Sequence, residues 1–329
     1  MHRMNSFLFA INAVLPIVLM VAIGYLAKRA GLITKSVAKA VNKIVFRLLL
    51  PCMLFLNVYQ IESIASIDFG YVRFSVLIIL LAFAVGIPLC MLITPKKEQR
   101  GAILQAVFRS NFALIGIPLA TSLFGDEGGS LATLLSAFCV PLFNVLAVIS
   151  LTIFGNEKKI HVKRIIVGIL KNPLIQSIAL GGVCLVVRSV FEKKGIAFRL
   201  TELSPLYSVI ERFSKTATPI ALLMLGAEFE LSAIPALKKQ IVFGTAMRVF
   251  IVPTVALSVA YLTATFSGAH FAAFIALFAT PVAVSSVPMA QEMGADSELA
   301  GQLVVWTTVM STFAIFLFSF ILKTIGIFP

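Results

Sequence analysis

Residues 110–120 read SNFALIGIPLA and residues 280–290 read TPVAVSSVPMA, so two similar segments lie 170 residues apart. Each segment is apolar and carries a proline near its end, Pro118 in the first and Pro288 in the second. A proline inside an apolar helix removes a backbone donor and clashes with the preceding turn. We therefore expect each segment to be an interrupted helix whose hydrogen-bond ladder opens near mid-membrane. Paired interruptions of this kind are typical of the binding site of a secondary transporter.

The composition is that of an integral membrane protein. Hydrophobic residues make up 60% of the 329 residues, charged residues only 12%, and the mean hydropathy is +1.03. Soluble domains have about 45–50% apolar and about 25% charged residues. The net charge of +13 comes from Lys and Arg in short loops, as the positive-inside rule expects, so it indicates a lipid bilayer rather than nucleic acid as the partner.

The apolar runs predict an all-α polytopic protein with ten membrane spans. A span needs about 20 residues, and runs of that length recur along the whole chain. The predicted spans are 6–27, 37–58, 70–93, 101–123, 129–154, 165–189, 205–229, 237–264, 268–291 and 298–323. We interpret the first as a retained span, because it has no signal-peptide cleavage motif.

Two five-helix repeats are the natural hypothesis for the domain organisation. Residues 1–154 form the first repeat, residues 155–164 a charged connecting loop, and residues 165–329 the second repeat. Pro16 and Gly24 in span one have the same spacing as Pro173 and Gly181 in span six. Because each half has an odd number of spans, the second repeat must be inverted relative to the first.

The distribution of basic residues predicts the orientation. Lys and Arg are more frequent in the loops after spans one, three, five and seven than on the other face. The positive-inside rule therefore places those loops, including 155–164, in the cytoplasm and both termini outside. We expect a multi-pass protein of the cell inner membrane.

Polar residues within span four are the first candidates for a binding site. Arg109, Ser110 and Asn111 lie about 10 Å from the start of this span at 1.5 Å per residue. An intramembrane arginine usually faces a cavity or the bundle interior; alternatively, Arg109 reaches the headgroups or pairs with an acid. Asn111 is expected either to contact a ligand or to hold helices together through a hydrogen bond.

The unpaired N–H groups of interrupted helices suit a carboxylate, and Arg109 adds positive charge, so an organic anion is the expected cargo. The predicted binding residues are Arg109, Ser110, Asn111, Gly116, Pro118, Ser285, Ser286 and Pro288. Glu292 is expected to be a solvated helix cap rather than a proton carrier. Glu228 and Glu230 belong to a span boundary or, alternatively, pair with Arg248.

Scattered histidines and cysteines give no metal or disulfide pattern, and no catalytic spacing is visible, so we expect neither an enzyme nor a cofactor. Coupling to Na⁺ or H⁺ stays open. Two hypotheses for function remain at this point. The first is a secondary carrier for a small organic anion, and the second is a passive anion channel or membrane sensor on the same fold.

Several blocks together resemble the auxin efflux carrier family across nearly the whole chain. They are NKIVF at 42–46, LPCMLF at 50–55, FRSN at 108–111, GIPLA at 116–120, KNPLI at 171–175 and PIALLMLGA at 219–227. The family includes the plant PIN auxin exporters and bacterial malate or malonate permeases. The long cytoplasmic loop of many plant members is absent here.

The resemblance implies a bile-acid-symporter-like inverted repeat with crossover helices in spans four and nine. Asn111, Pro118 and Pro288 match the family's crossover positions. It further implies a scaffold of spans one, two, six and seven that forms a homodimer, and a transport domain of spans three to five and eight to ten. An elevator-type movement of that domain would carry a mono- or dicarboxylate.

Overall fold

Every regular element in the described part of the chain is a helix. The structure, a computed structural model, describes residues 2–60, 69–155, 167 and 170–328. The predicted connecting loop 155–164 lies outside the described residues, apart from Gly155. The α-helices are α1 (His2–Arg29), α2 (Lys35–Ile44), α3 (Leu50–Tyr59), α4 (Phe69–Ile93), α5 (Lys97–Phe108), α6 (Ile117–Ile153), α7 (Pro173–Lys193), α8 (Ser204–Glu228), α9 (Ile234–Ala246), α10 (Val252–Thr263), α11 (Gly268–Phe278), α12 (Ser286–Glu292) and α13 (Ser297–Thr324).

Three π-helical turns join consecutive helices. Val45–Leu49 connects α2 to α3, Phe112–Gly116 precedes α6, and Met247–Ile251 connects α9 to α10. A proline follows each turn, at Pro51, Pro118 and Pro253. Proline is suited to the first turn of a helix because its missing N–H would have no partner there. Each π-helical turn therefore widens the helix locally, and the proline that follows lies in the first turn of the next α-helix.

Local sequence explains where several helices begin. Asn172 accepts a hydrogen bond from Leu174 N at 2.9 Å and precedes Pro173, the first residue of α7. Asp296 accepts from Leu299 N at 2.9 Å at the start of α13. These are ordinary N-caps, in which a side-chain oxygen takes one of the backbone donors that a helix start leaves unpaired.

Six helical stretches of the described residues are long and apolar enough to cross a membrane. They are Lys35–Tyr59, Phe69–Ile93, Lys97–Ile153, Pro173–Lys193, Leu231–Thr263 and Ser297–Thr324. The stretch Lys97–Ile153 contains an interruption after Phe108 and a kink at Phe124–Gly125, where Gly125 has φ +60°. A multi-pass helical protein is confirmed, while the count of ten spans and the five-plus-five repeat stay predictions.

The helices pack in two groups. In the first group α1 and α2 lie against α8, and α3 lies against both α7 and α8. In the second group α6 packs on α11, α4 on α5, and α13 on α9 and α12. Contacts between the groups include α1 with α13 and α2 with α12. These two groups will be called the first and the second helix group.

Close approach of backbones defines the first helix group. A Cβ atom built on Gly24 of α1 would lie 2.0 Å from Leu223 O of α8. A Cβ atom built on Gly226 of α8 would lie 1.9 Å from Val21 O of α1. Small residues allow such contacts between membrane helices, where packing rather than water exclusion drives association. Gly24 and Gly226 therefore allow the close packing of α1 against α8, one glycine from each helix.

Candidate functional site

The first predicted interruption is present, but it lies before the proline rather than at it. Helix α5 ends at Phe108, and Arg109 and Asn111 have non-helical backbone angles. Pro118 is in the first turn of α6. Between Phe108 and Pro118, the backbone therefore lacks the regular hydrogen bonds of an α-helix.

The second predicted interruption shows the same arrangement. Helix α11 ends at Phe278, and α12 begins at Ser286. Pro288 is buried in the first turn of α12, while Pro281 lies within the interruption itself. The side chain of Thr307 accepts a hydrogen bond from Val282 N at 3.1 Å. Neighbouring helix α13 therefore satisfies part of the backbone that the second interruption opens, as buried non-helical backbone requires.

The two interruptions are in direct contact. The backbone N–H of Asn111 donates to Pro281 O at 2.8 Å. The guanidinium of Arg109 donates to Ser285 Oγ at 2.7 Å and to Ser286 Oγ at 3.5 Å. The structure thus brings together four of the predicted binding residues from two segments that lie far apart in the sequence.

Arg109 is buried among neutral groups. It is only 2% exposed, so it does not reach the headgroups. Besides the two serines, it donates to Gln105 Oε1 and Asn144 Oδ1, each at 2.7 Å, and to Met289 Sδ at 3.0 Å. No carboxylate within the described residues lies in ion-pair distance of this guanidinium. Its positive charge is held by hydrogen bonds but is not neutralised.

A cavity of about 500 Å³ lies in front of the joined interruptions. Asn111 and Ser285 contribute its polar groups on the side of the second helix group. The opposite wall comes from α1, α3 and α8, mostly through apolar side chains. The other lining residues are Pro16, Met20, Leu50, Met53, Asn57, Ala113, Leu114, Ile115, Ser214, Lys215, Ala217, Thr218, Pro219, Ala221, Leu222 and Val284. The cavity therefore lies between the two helix groups.

Asn111 has an unused donor at this cavity. Its backbone N–H and C=O are both occupied, by Pro281 and by Ile115 N. Its side-chain Nδ2 is buried and has no hydrogen-bond partner. A buried amide donor without a partner costs about 1–3 kcal/mol of free energy, which makes Asn111 a candidate for binding a ligand oxygen.

The remaining predicted binding residues do not line this cavity. Ser110 is buried, and its hydroxyl has no partner. A Cβ atom on Gly116 would lie 2.9 Å from Ala276 O, so this glycine lets α11 pack against the first interruption. Pro118 is exposed and Pro288 is buried against its neighbours. Gly116 and the two prolines therefore shape the backbone that presents Asn111 and Ser285.

Three further residues at the site were not singled out from the sequence. Asn144, which holds Arg109, also donates to Val140 O at 2.8 Å. Gln105 is one helical turn before Arg109. Asn57 faces the cavity from α3. Each is an uncharged polar residue in an otherwise apolar span, and that is the signal by which a search could have found them.

The alternative pairing of Arg248 with Glu228 or Glu230 is wrong. Arg248 donates to the backbone carbonyls of Leu277 and Phe278 at the end of α11. Glu228 accepts from Asn42 Nδ2 at 3.1 Å. Glu230 pairs with Lys35 and Lys28 at 2.5 and 3.5 Å. Backbone oxygens rather than acids are therefore the partners of this buried cation.

A second cavity lies next to the first. It measures about 680 Å³ and shares Asn57 and Ala113 with the cavity in front of the interruptions. Its walls include Tyr59, Arg188 and Tyr207, at the end of the molecule where α3 and α7 terminate. The two neighbouring cavities lie between the interruptions and that end, which the basic-residue distribution predicts to be outside.

Polar contacts close the opposite end. Asn42 Nδ2 donates to Gln291 Oε1 at 3.1 Å, and Gln291 Nε2 donates to Lys39 O at 3.1 Å. Glu292 pairs with Arg47 at 3.5 Å, and its side chain is only 14% exposed. The expectation of a solvated cap at Glu292 is therefore wrong, because the end of α12 is pressed against α2 and its π-helical turn. Asn42, Gln291, Arg47 and Glu292 will be called the inner contact.

Comparison with known proteins finds membrane transporters. An uncharacterized transporter of Methanothermobacter thermautotrophicus is 21% identical over 323 residues, covering 96% of this chain and 99% of that protein. An uncharacterized transporter of Methanocaldococcus jannaschii is 29% identical over 121 residues, covering 36% of this chain and 39% of that protein. A family model described as membrane transport protein matches residues 9–319. The chain therefore belongs to the membrane transport protein family, the family of the auxin efflux carriers.

Proposed function

We propose that the protein is a secondary carrier for a small organic anion, a mono- or dicarboxylate, that binds in the 500 Å³ cavity beside Asn111 and Ser285. The observation that carries the proposal is the buried Arg109 guanidinium, which has only neutral partners among the described residues. A charge in a low-dielectric interior acts over a longer distance than in water. An anion at Ser285 would therefore be attracted by Arg109 without touching it.

Hydrogen-bond donors at the cavity support the same cargo. The unpartnered Nδ2 of Asn111 would donate to a carboxylate oxygen. Ser285 Oγ already accepts from Arg109, so its own hydroxyl proton is available as a second donor. Two donors backed by a positive charge suit a carboxylate better than a neutral or cationic solute.

The two helix groups support an elevator-type movement. The cavity lies between them, with Asn111 on one side and the mostly apolar wall of α1, α3 and α8, which also carries Asn57 and Lys215, on the other. We propose that the second helix group, predicted spans three to five and eight to ten, moves as the transport domain. The first group, predicted spans one, two, six and seven, would be the scaffold and would form a homodimer in the inner membrane. Coupling to Na⁺ or H⁺ is part of what the transport experiment determines.

Uptake into proteoliposomes tests the proposal. Purified protein is reconstituted and supplied with a panel of radiolabelled mono- and dicarboxylates. We expect saturable uptake of at least one anion, reduced about tenfold or more in Asn111→Ala because one charge-assisted hydrogen bond contributes about 1.5–3 kcal/mol. Thr121→Ala is the matched control, since Thr121 is exposed on α6 outside both cavities.

Two results would contradict parts of the proposal. Equal uptake by wild type and Asn111→Ala would remove Asn111 from the binding site. Counterflow distinguishes a carrier from the channel alternative, because only a carrier lets unlabelled internal cargo drive labelled cargo inward against its gradient. Uptake that never saturates and shows no counterflow would favour the passive channel.

A further inference from the structure

Arg248 is a second buried cation that the proposed anion site does not use. It lies on the π-helical turn Met247–Ile251 and is 0% exposed. Its Nη2 donates to Leu277 O at 3.3 Å and to Phe278 O. These are the last two carbonyls of α11 before the second interruption. Arg248 thus caps the helix end from which the interruption starts.

The surroundings of Arg248 leave its charge unneutralised. Its Nε and Nη1 are buried and have no hydrogen-bond partner. Among the residues that the structure describes, no acidic side chain is within ion-pair distance of it. The C-terminal end of a helix carries unpaired carbonyls and a partial negative charge of about −0.5. The helix end itself is therefore the counter-charge of Arg248.

Helix C-terminal carbonyls at an interruption are a place where broken-helix carriers hold a coupling cation such as Na⁺. In this chain the guanidinium already occupies two of those carbonyls. A guanidinium supplies several N–H donors on a planar, permanently charged group, so it can bind neighbouring carbonyl oxygens as a metal ion would.

We propose that Arg248 is the built-in cation of the second interruption. It takes the position at the end of α11 that a bound Na⁺ would otherwise fill, so that this end of the transport site needs no metal ion. Arg248 acts here as a positioning residue, since it holds α11 and the segment leading to Ser285 without contacting cargo. The consequence for transport rests on the proposed function, whereas the consequence for cation binding does not.

The test compares the thermal stability of purified variants in sodium chloride and in choline chloride at equal ionic strength. Arg248→Ala leaves a cavity beside the carbonyls of Leu277 and Phe278. We expect its Tm to be several degrees higher in sodium than in choline, and to rise also on addition of a low concentration of guanidinium chloride. Wild type, Arg248→Lys and the exposed control Arg212→Ala are expected to show no sodium-specific rise.

The outcomes separate this inference from the proposed function. A sodium-specific and guanidinium-specific rise in Arg248→Ala alone supports the built-in cation. The absence of such a rise, or a sodium effect in wild type that Arg248→Ala abolishes, overturns it. If Arg248→Ala does not fold, wild-type uptake with sodium replaced by choline on both sides decides: unchanged uptake supports the inference, and loss of uptake overturns it. If no anion is transported at all, the proposed function fails while the stability result still stands.

Discussion

Arg109 joins side chains from three parts of the fold. Gln105 belongs to α5, Asn144 to α6, and Ser285 to the second interruption. The rigid fork of a guanidinium can donate to all of them at once, whereas a lysine would offer a single charged point. The sequence alone predicts that Arg109 faces a cavity or the bundle interior, reaches the headgroups or pairs with an acid. Among the described residues it faces the bundle interior, one contact behind the cavity wall.

Both interrupted segments contribute polar groups to the cavity. The sequence predicts binding residues in each segment, among them Asn111 and Ser285, but it does not predict that these two line the same cavity. Ser285 lines the cavity together with Asn111 and accepts directly from Arg109. The second segment therefore contributes to the same polar face.

Placing a negative charge beside Arg109, without changing Arg109 itself, tests the electrostatic role of this residue. Asn144→Asp puts a carboxylate at the position that accepts from Arg109 Nη2 at 2.7 Å. The resulting ion pair cancels the positive charge behind Ser285. We expect anion affinity to fall about tenfold or more, which corresponds to about 1.4 kcal/mol, as measured by the concentration dependence of uptake.

Thermal stability provides the control for this variant. Asp lacks the Nδ2 donor that Asn144 gives to Val140 O, but it gains a charged partner in Arg109. We expect a Tm close to that of wild type. An Asn144→Asp protein that is equally stable and transports anions with unchanged affinity would contradict the role assigned to Arg109.

At the scale of the helices, proline positions and interruptions are related but not identical. Pro118 and Pro288 lie in the first turn of the helix that follows each interruption, not in the open backbone. Proline has no N–H to lose there, and its φ already fits a helix. The sequence correctly predicts that both helices are interrupted, but it places the opening several residues too late.

Alanine substitution of two adjacent glycines in α7 should affect stability differently. A Cβ atom on Gly181 would lie 2.8 Å from Phe55 O, whereas a Cβ atom on Gly182 meets nothing within 4 Å. We expect Gly181→Ala to destabilise the protein by about 1–3 kcal/mol, since it forces α3 and α7 apart. Gly182→Ala is the matched control and should be neutral or stabilising by up to about 1 kcal/mol, because alanine is the better helix former. Thermal unfolding in detergent measures both, and equal effects would contradict the close α3–α7 contact.

The contact between the start of α2 and the residues that follow α8 should weaken in acid. Lys35 binds Glu230 at 2.5 Å and thereby lowers the pKa of that carboxyl below its ordinary value of 4.5. A carboxyl with a lowered pKa stabilises the fold at higher pH and loses that contribution as the pH falls through its folded-state value. We expect Glu230→Gln to cost about 0.2–1 kcal/mol at neutral pH, the usual range for an exposed pair.

The pH dependence is the discriminating measurement for this pair. The stability difference between wild type and Glu230→Gln should shrink as the pH falls below 4.5. Lys35→Met should show a smaller loss at neutral pH, because Lys28 still pairs with Glu230 at 3.5 Å, and no further loss when combined with Glu230→Gln. Additive effects of the two substitutions would show that the pair contributes nothing of its own.

At the scale of the whole molecule, two neighbouring cavities lie toward one end and the inner contact closes the other. Asn42 and Gln291 connect the two helix groups at the closed end, at a distance of 3.1 Å between Nδ2 and Oε1. If the second group moves relative to the first during transport, this contact must separate. This arrangement fits the proposed carrier in a state that is open toward one end only.

Cross-linking the inner contact should stop transport. In a background without the four native cysteines, Asn42→Cys and Gln291→Cys are joined by a bifunctional thiol reagent. We expect anion uptake to fall to background while anion binding from the open side persists. A pair within the second group, Gln99→Cys with Gln240→Cys, whose side chains are 3.1 Å apart, is the control and should transport after cross-linking. Undiminished uptake with the first pair joined would argue against movement of one group past the other.

The sequence by itself determined the membrane class, the helical fold, the two interruptions and the presence of a cation beside the first. These follow from composition, run length and the chemistry of proline, all of which are local. It did not determine which side chains meet, because Arg109 and its partners Asn144 and Ser285 are 35 and 176 residues apart. Helices that are apolar on every face carry no periodic signal for the inward side. Only tertiary packing therefore decided that Ser285 shares a cavity with Asn111, and that Arg248 caps α11 rather than pairing with an acid.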